Sequence, residues 1–315
     1  MESAFPADRI AAAETLIARG RRRRTVSASP ETWLLQRFGT AKQRDWPVAP
    51  YTLLADGGTP GQHFWMRADP VHLSIERDRL GLREEFALEV SRTESDALVG
   101  ALNRHFGEAL LFSSPRPERW YVRLQHAPEM ETTPPSEARG TAVGEKLPSG
   151  ADALRFHSLM NEAQMLLHGH PANAAREARG VPSVNGVWFW GGGILEAVST
   201  RPYSAVIGDD PLARGLALAA GIPSRGLPGR ADDLRSLLPP EGTALIVLGP
   251  PRHREGRAAL EHDWFEPLLG ALESGRIGML TLQLGGPNSL LEVETVRSDL
   301  RHFWRTRKPV ESYLA

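Results

Sequence analysis

Apolar residues along this chain recur in three different rhythms, and each rhythm predicts a different element. Residues 7–19, 94–107 and 151–169 place apolar side chains three to four apart, which predicts amphipathic helices, each followed by a glycine stop. "ETWLLQRFG" reads as a shorter helix ending at Gly39. "HFWMRADPVHLSIERDRLGLR" alternates and predicts two short strands around a polar hinge, and "ERWYVRLQ" predicts another strand. "WPVAPYTLLADGGTPGQ" carries prolines and paired glycines, which predict extended chain and turns.

Past residue 170 the pattern changes. Pro171 ends the 151–169 helix, and Asn173 caps a second helix through Arg179. "VNGVWFW" is unbroken apolar sequence, the mark of a buried strand. "YSAVIGD", "GTALIVLG" and "GMLTLQLGG" read as further strands, and "DPLARGLALAAG", "RADDLRSLL" and "EPLLGALESG" as helices between them. This alternation predicts an α/β fold with a mainly parallel sheet flanked by helices over about 184–285. The tail "ETVRSDLRHFWRTRKP" reads as one more helix. Residues 127–150, rich in Pro, Gly, Ser and Thr, predict a long loop or a boundary. The division is then an α+β portion over 1–150 and an α/β portion over 151–315, unless the two form one continuous fold.

Composition narrows the function classes. The 315 residues are 41% hydrophobic and 24% charged with net charge −1, which gives no general pull toward nucleic acid or anionic membrane. With no cysteine, disulfides, thiolate catalysis and Cys-held metals are excluded, and a cytoplasmic setting is expected. No apolar run approaches the ~18–20 residues that span a bilayer, and the N-terminal charge follows the apolar stretch, the wrong order for a secretory signal. Arg21–Arg24 reads either as a nucleic-acid or phospholipid contact or as a solvated helix end, and the second is favoured, since no second basic cluster with interleaved aromatics accompanies it.

The densest chemistry lies in 168–193. His168 and His170 stand at a helix end, with Asn173, Arg176 and Asn185 following. An arginine with imidazoles and amides can hold a phosphate or carboxylate. The competing readings are a His-x-His metal site, for which no third ligand is apparent, and a polar helix–turn–helix corner. Gly191, Gly192 and Gly193 form either a strand–turn–helix anion cradle or a tight turn. Arg67, Asp69 and His72 form an accessory cluster in which Asp69 starts a turn or pairs with His72. Asp209 and Asp210 stand at a strand end, and Arg252, His253 and Arg254 after the next.

Taken together, "NEAQMLLHGHPANAAREARGVPSVNGVWFWGGG" resembles a segment of the archaeal-type cofactor-independent phosphoglycerate mutases, and "YSAVIGDDPLARGLALAAGIPSRGLPG" resembles the unit that follows it. "DWPVAPYTLLADG", "RADPVHL", "LNRHFG", "RWYVRL" and "NGVWFWGGG" resemble RpfE-type regulatory proteins, a bacterial offshoot of those mutases. The resemblance implies a trimmed alkaline-phosphatase-like core and a phosphoryl-transfer ancestry with two divalent metals and a phosphate-carrying serine. It also implies that His168, His170, Asn173, Arg176 and Asn185 contact a phosphorylated or carboxylated metabolite. The mutase metal motifs are altered here. Asp56-Gly57 lacks a nearby second Asp, His253 lacks its acidic partner, and Gln283, Gly285 and Gly286 stand where a terminal Asp-His is expected. A two-metal clamp needs most of its ligands. The expectation is therefore a regulatory or ligand-binding pseudoenzyme with no cofactor. The alternatives are an active mutase, which would require Mn²⁺ or Mg²⁺, and a protein-interaction scaffold.

Overall fold

The structure is a computed structural model, and it describes residues 9–26, 29–76, 79–82, 88–138, 143–239, 241–250, 254–285 and 289–314. The chain forms two compact units. One comprises residues 1–33, 202–210 and 222–315, and the other residues 34–201 and 211–221. Residues 127–150 lie inside the second unit, where Met130–Glu131 pairs with Ser149–Gly150.

The first unit contains two small sheets. In one, strands Ser224–Arg225, Ala205–Gly208 and Ala244–Val247 run parallel in that order. In the other, Arg21–Val26, Ser289–Val296 and Met279–Gly285 are antiparallel. The fold is mixed α/β, but among the described residues parallel pairing is confined to the three strands of the first sheet. An apolar run reports that a strand is buried on both faces and is silent about the direction of its neighbours. Helix Ala11–Arg19 buries Leu16 against Phe265 and Leu272, and Ile17 against Leu291 and Val293. Residues 294–309 do not form the expected helix, and the last helix, Glu311–Leu314, comes after them. Ser289–Val296 stays in its ladder and a single 3₁₀ turn, Arg297–Arg301, follows.

The second unit is built on a four-stranded antiparallel sheet, in the order Leu110–Arg116, Arg119–Leu124, Phe64–Val71, Gly186–Gly193. Trp120, Tyr121, Trp188 and Phe189 are buried in it, and Phe156 of helix Ala153–His168 meets Phe189 edge to face at 5.5 Å. Helix Arg92–Phe106 begins at a capping box, in which Ser91 and Glu94 satisfy each other's backbone N–H groups. Pro70 sits within a strand rather than in a turn. The Arg119–Leu124 strand pairs with its neighbour only as far as Arg67, so no ladder bond is asked of the missing N–H.

The expectation of extended chain over 46–62 is corrected, because Val48–Ala55 is a helix. Pro47 is its N-cap and Pro50 lies in the first turn, where backbone N–H groups have no intrahelical acceptor, so both prolines are tolerated. Helix Pro211–Ala220 packs on it so closely that a Cβ at Gly215 would stand 1.9 Å from the Tyr51 carbonyl oxygen.

Candidate functional site

The His168–Asn185 segment is a helix–turn–helix corner locked from inside. Helix Ala153–His168 ends at Gly169, and helix Pro171–Ala178 starts with His170 as its N-cap, whose Nδ1 accepts from the Ala172 N–H at 3.2 Å. Asn173 is not the cap. It lies inside the helix at 1% exposure, and its amide is fully engaged. Nδ2 donates to the carbonyls of Leu167 (2.7 Å) and Val184 (2.8 Å), and Oδ1 accepts from the Val184 N–H at 2.8 Å.

Arg176, one turn later, is 2% exposed. Its Nε donates to the Pro182 carbonyl at 2.8 Å, and Nη1 to the Glu89 carbonyl (2.8 Å) and to Glu94 Oε2 (2.9 Å). Burial pushes the Glu94 carboxyl up, but the Ser91 N–H and hydroxyl and the Arg179 and Arg176 guanidiniums outweigh it and bring its pKa down to about 2. Asn185 bonds Leu73 as a strand neighbour would. Oδ1 accepts from the Leu73 N–H at 2.7 Å, and Nδ2 donates to its carbonyl at 2.9 Å. His72 Nδ1 lies 2.8 Å from the Ser183 carbonyl. Of the five side chains that the resemblance assigns to a ligand, His168 is exposed and His170 half-buried, while Asn173 and Arg176 face protein. Burial, followed by Arg104, lowers the His170 pKa.

The glycine triplet does not turn into a helix. Gly191, Gly192 and Gly193 are the last residues of a wholly buried strand, and no helix follows before Pro211. They are small because neighbours press on them. A Cβ would stand 2.8 Å from Val48 Cβ at Gly191, 2.8 Å from Phe64 Cζ at Gly192 and 2.4 Å from Pro47 Cβ at Gly193. Gly191 has φ +65° at a bulge where the register slips between Trp65 and Arg67. Helix 48–55 and strand 64–71 thus occupy the space in which a phosphate would sit.

The accessory residues separate. Asp69 and His72 do not pair. His72 is held at Ser183, while Asp69 accepts from Arg67 (Nε 3.0 Å, Nη2 2.5 Å) and from Trp190 Nε1 at 2.7 Å. Arg67, 6% exposed, lies between two rings, 5.3 Å from the Tyr121 centroid and 5.2 Å from Trp190. The network extends to Asp56, which accepts from Arg119 (2.6 and 2.9 Å) and from the Tyr121 hydroxyl at 2.7 Å.

Burial raises the Asp56 pKa, but the bonds from Arg119 and Tyr121 outweigh it and hold the carboxyl below its ordinary range. The Tyr121 phenol is pushed up, by burial first. Sequence reasoning missed this network of Asp56, Arg67, Arg119, Tyr121 and Trp190. The available signal was the alternation in "RWYVRL", which puts Arg119 and Tyr121 on one sheet face. Its charges are paired within the protein, so it is a buried structural constellation rather than an open acid–base site.

Among the described residues, no group of three or more His, Cys, Asp or Glu converges where a metal ion could be held. Arg252, His253 and Gly286 lie outside the described residues. Gln283 bonds Glu292, and Gly285 ends its strand. No described helix is long and apolar enough to cross a membrane. Arg21–Arg24 do not form a helix end, because helix Ala11–Arg19 stops at Gly20 and the arginines enter strand Arg21–Val26.

No protein-family model matches the chain. It is 28% identical over 163 residues to a probable 2,3-bisphosphoglycerate-independent phosphoglycerate mutase of Geobacter sulfurreducens, a match covering 50% of this chain and 41% of that protein. It is 27% identical over 160 residues to a 2,3-bisphosphoglycerate-independent phosphoglycerate mutase of Methanosarcina barkeri, covering 48% of this chain and 39% of that protein. The matched segments thus span well under half of either relative. A solved protein from Pyrococcus horikoshii superposes with TM-score 0.52 at 14% identity, covering 90% of this chain and 79% of that one, a likeness of fold. The homologues of this chain are thus phosphoglycerate mutases at low identity.

Proposed function

We propose that this chain is a phosphoglycerate-mutase-like protein of RpfE type. It serves as a regulatory or ligand-binding protein and does not turn over phosphoglycerate. The observation that carries the reading is the commitment of Asn173 and Arg176. Both belong to the mutase-like segment, both are buried to 2% exposure or less, and the Asn173 amide and the Arg176 Nε and Nη1 donate to protein acceptors. Side chains that would hold a substrate phosphate here hold the loop at 182–185. A second support comes from elsewhere in the chain, namely the altered mutase metal motifs. A trimmed alkaline-phosphatase-like ancestry and a cytoplasmic setting belong to the same reading.

The ligand proposed is a phosphorylated or carboxylated metabolite, met by the exposed His168 and the half-buried His170. The test is thermal unfolding with 3-phosphoglycerate, with and without Mn²⁺, beside a phosphoglycerate interconversion assay in Mn²⁺ or Mg²⁺. A ligand at 100 times its Kd stabilises by about 2.7 kcal/mol, a shift of several degrees at this size. A shift without turnover is expected. Metal-dependent turnover would overturn the pseudoenzyme reading in favour of an active mutase. Neither shift nor turnover would leave a protein-interaction scaffold.

A further inference from the structure

The first unit carries a cationic groove that the mutase-like reading leaves unused. The Arg21–Val26 strand forms the outer edge of its sheet, and a solvent-open groove of about 640 Å³ runs beside it, lined by Arg21, Arg22, Arg305, Thr306, Lys308 and Tyr313 among others. The antiparallel register makes the two strand faces unequal. Arg21 stands opposite Glu294 and Arg23 opposite Glu292, whereas Arg22 and Arg24 stand opposite Val293 and Leu291. Glutamates therefore offset one face, while the other meets only apolar partners across the ladder. Tyr313 supports that second face, with the Arg22 guanidinium 5.4 Å from its ring centroid and Arg24 donating to its carbonyl at 2.5 Å. Arg305 fixes the far wall by donating to the carbonyls of Arg19 (2.8 Å) and Gly20 (3.2 Å).

The turn entering that wall presents two large rings to water. Phe303 is 79% and Trp304 66% exposed, with their rings edge to face at 5.3 Å. Sequence reading found no second basic cluster with interleaved aromatics, yet Arg301, Phe303, Trp304, Arg305, Arg307 and Lys308 are one, and the fold sets it alongside the first.

We propose that this groove binds single-stranded nucleic acid, with phosphates along Arg22, Arg305 and Lys308 and bases against Phe303 and Trp304. A row of cations on an extended strand tracks a repeating anion, and exposed rings stack on bases of any sequence. Since the net charge is −1, the attraction is local to the groove. An anionic bilayer is the poorer fit, because cations lining a concavity do not meet a flat surface together.

The test is fluorescence anisotropy of the full chain with a labelled oligouridylate of about 12 nucleotides, across a salt series. Binding should weaken log-linearly with salt. Arg22→Gln with Lys308→Gln should reduce the slope by about 1.4, at ~0.7 per phosphate neutralised on a single strand. Trp304→Ala should weaken binding about fivefold or more and leave the slope unchanged. An unchanged thermal midpoint and circular dichroism spectrum would show that the variants are folded. The proposal fails if no binding appears at about 50 mM salt, if folded variants bind like the parent chain, or if phosphatidylserine vesicles bind and the oligonucleotide does not.

Discussion

Arg176 and Glu94 form a nearly solvent-free ion pair, Nη1 to Oε2 at 2.9 Å, joining the last turn of one short helix to the first turn of another. The same carboxylate caps its own helix through Ser91 and receives Arg179. One acidic group therefore fixes the start of helix Arg92–Phe106 and the outer end of the mutase-like segment together.

Arg176→Ala should destabilise the chain by about 3–5 kcal/mol, because it leaves a carboxylate and the Glu89 and Pro182 carbonyls without their donor. Arg176→Lys should recover only part of this, since an ammonium cannot reproduce the guanidinium fork. Urea unfolding measures both. A neutral Arg176→Ala with weakened metabolite binding would instead mark Arg176 as a ligand contact.

Glu94 also sets an acid limit. Its folded pKa of about 2 lies below the ordinary carboxylate value of 4.5, so its contribution is fully present above pH ~4.5 and is lost as pH falls toward 2. The shift corresponds to roughly 3 kcal/mol at most. Stability followed by urea midpoint should drop over that window, and Glu94→Gln should flatten that part of the profile while lowering the plateau.

The glycine triplet should behave as a packing element. Gly193→Ala and Gly192→Ala place a methyl against Pro47 and Phe64 and should cost about 1–3 kcal/mol. Gly169→Ala meets nothing within 4 Å and should stay within about 0.5 kcal/mol of the parent. A phosphate cradle predicts instead that Gly192→Ala and Gly193→Ala weaken ligand affinity and leave the midpoint nearly unchanged.

In the Arg67 network, Asp56→Asn removes the charge that Arg119 and Tyr121 share. A loss of about 3 kcal/mol is expected from breaking a largely buried pair. Spectrophotometric titration gives a second readout. Tyr121 should ionise above the ordinary tyrosine range in the parent chain, and at lower pH in a variant whose packing has loosened.

Local pattern made much of this architecture legible. The helices at 92–106, 153–168 and 211–220 and the strands at 119–124 and 205–208 lie where local pattern predicts them, while the strand expected over 184–190 runs on through the glycine triplet to Gly193. The capping box at Ser91 and Glu94 is likewise written as a serine three residues ahead of a glutamate. Strand direction was not legible, since the apolar run at 186–193 fits either kind of neighbour. Nor was helix 48–55, where two prolines read as breakers until their first-turn positions are known. For the candidate site, sequence identified Arg176 and Asn173 as unusual but not as buried. Spacing puts them on one helix face, and only the tertiary fold brings Glu94 and Val184 to meet them. Arg67 was legible as a charge, while its two aromatic neighbours come from different strands.

The chain crosses between its two compact units four times, at residues 33–34, 201–202, 210–211 and 221–222. Neither unit is therefore a continuous gene segment. During synthesis the unit that begins at Leu34 stays incomplete until Gly221 has emerged, because helix Pro211–Ala220 is its last piece and packs on helix Val48–Ala55. Release of the first 200 residues alone would leave Tyr51 and its helix uncovered. A chain break anywhere between residues 34 and 221 thus separates pieces of both units at once.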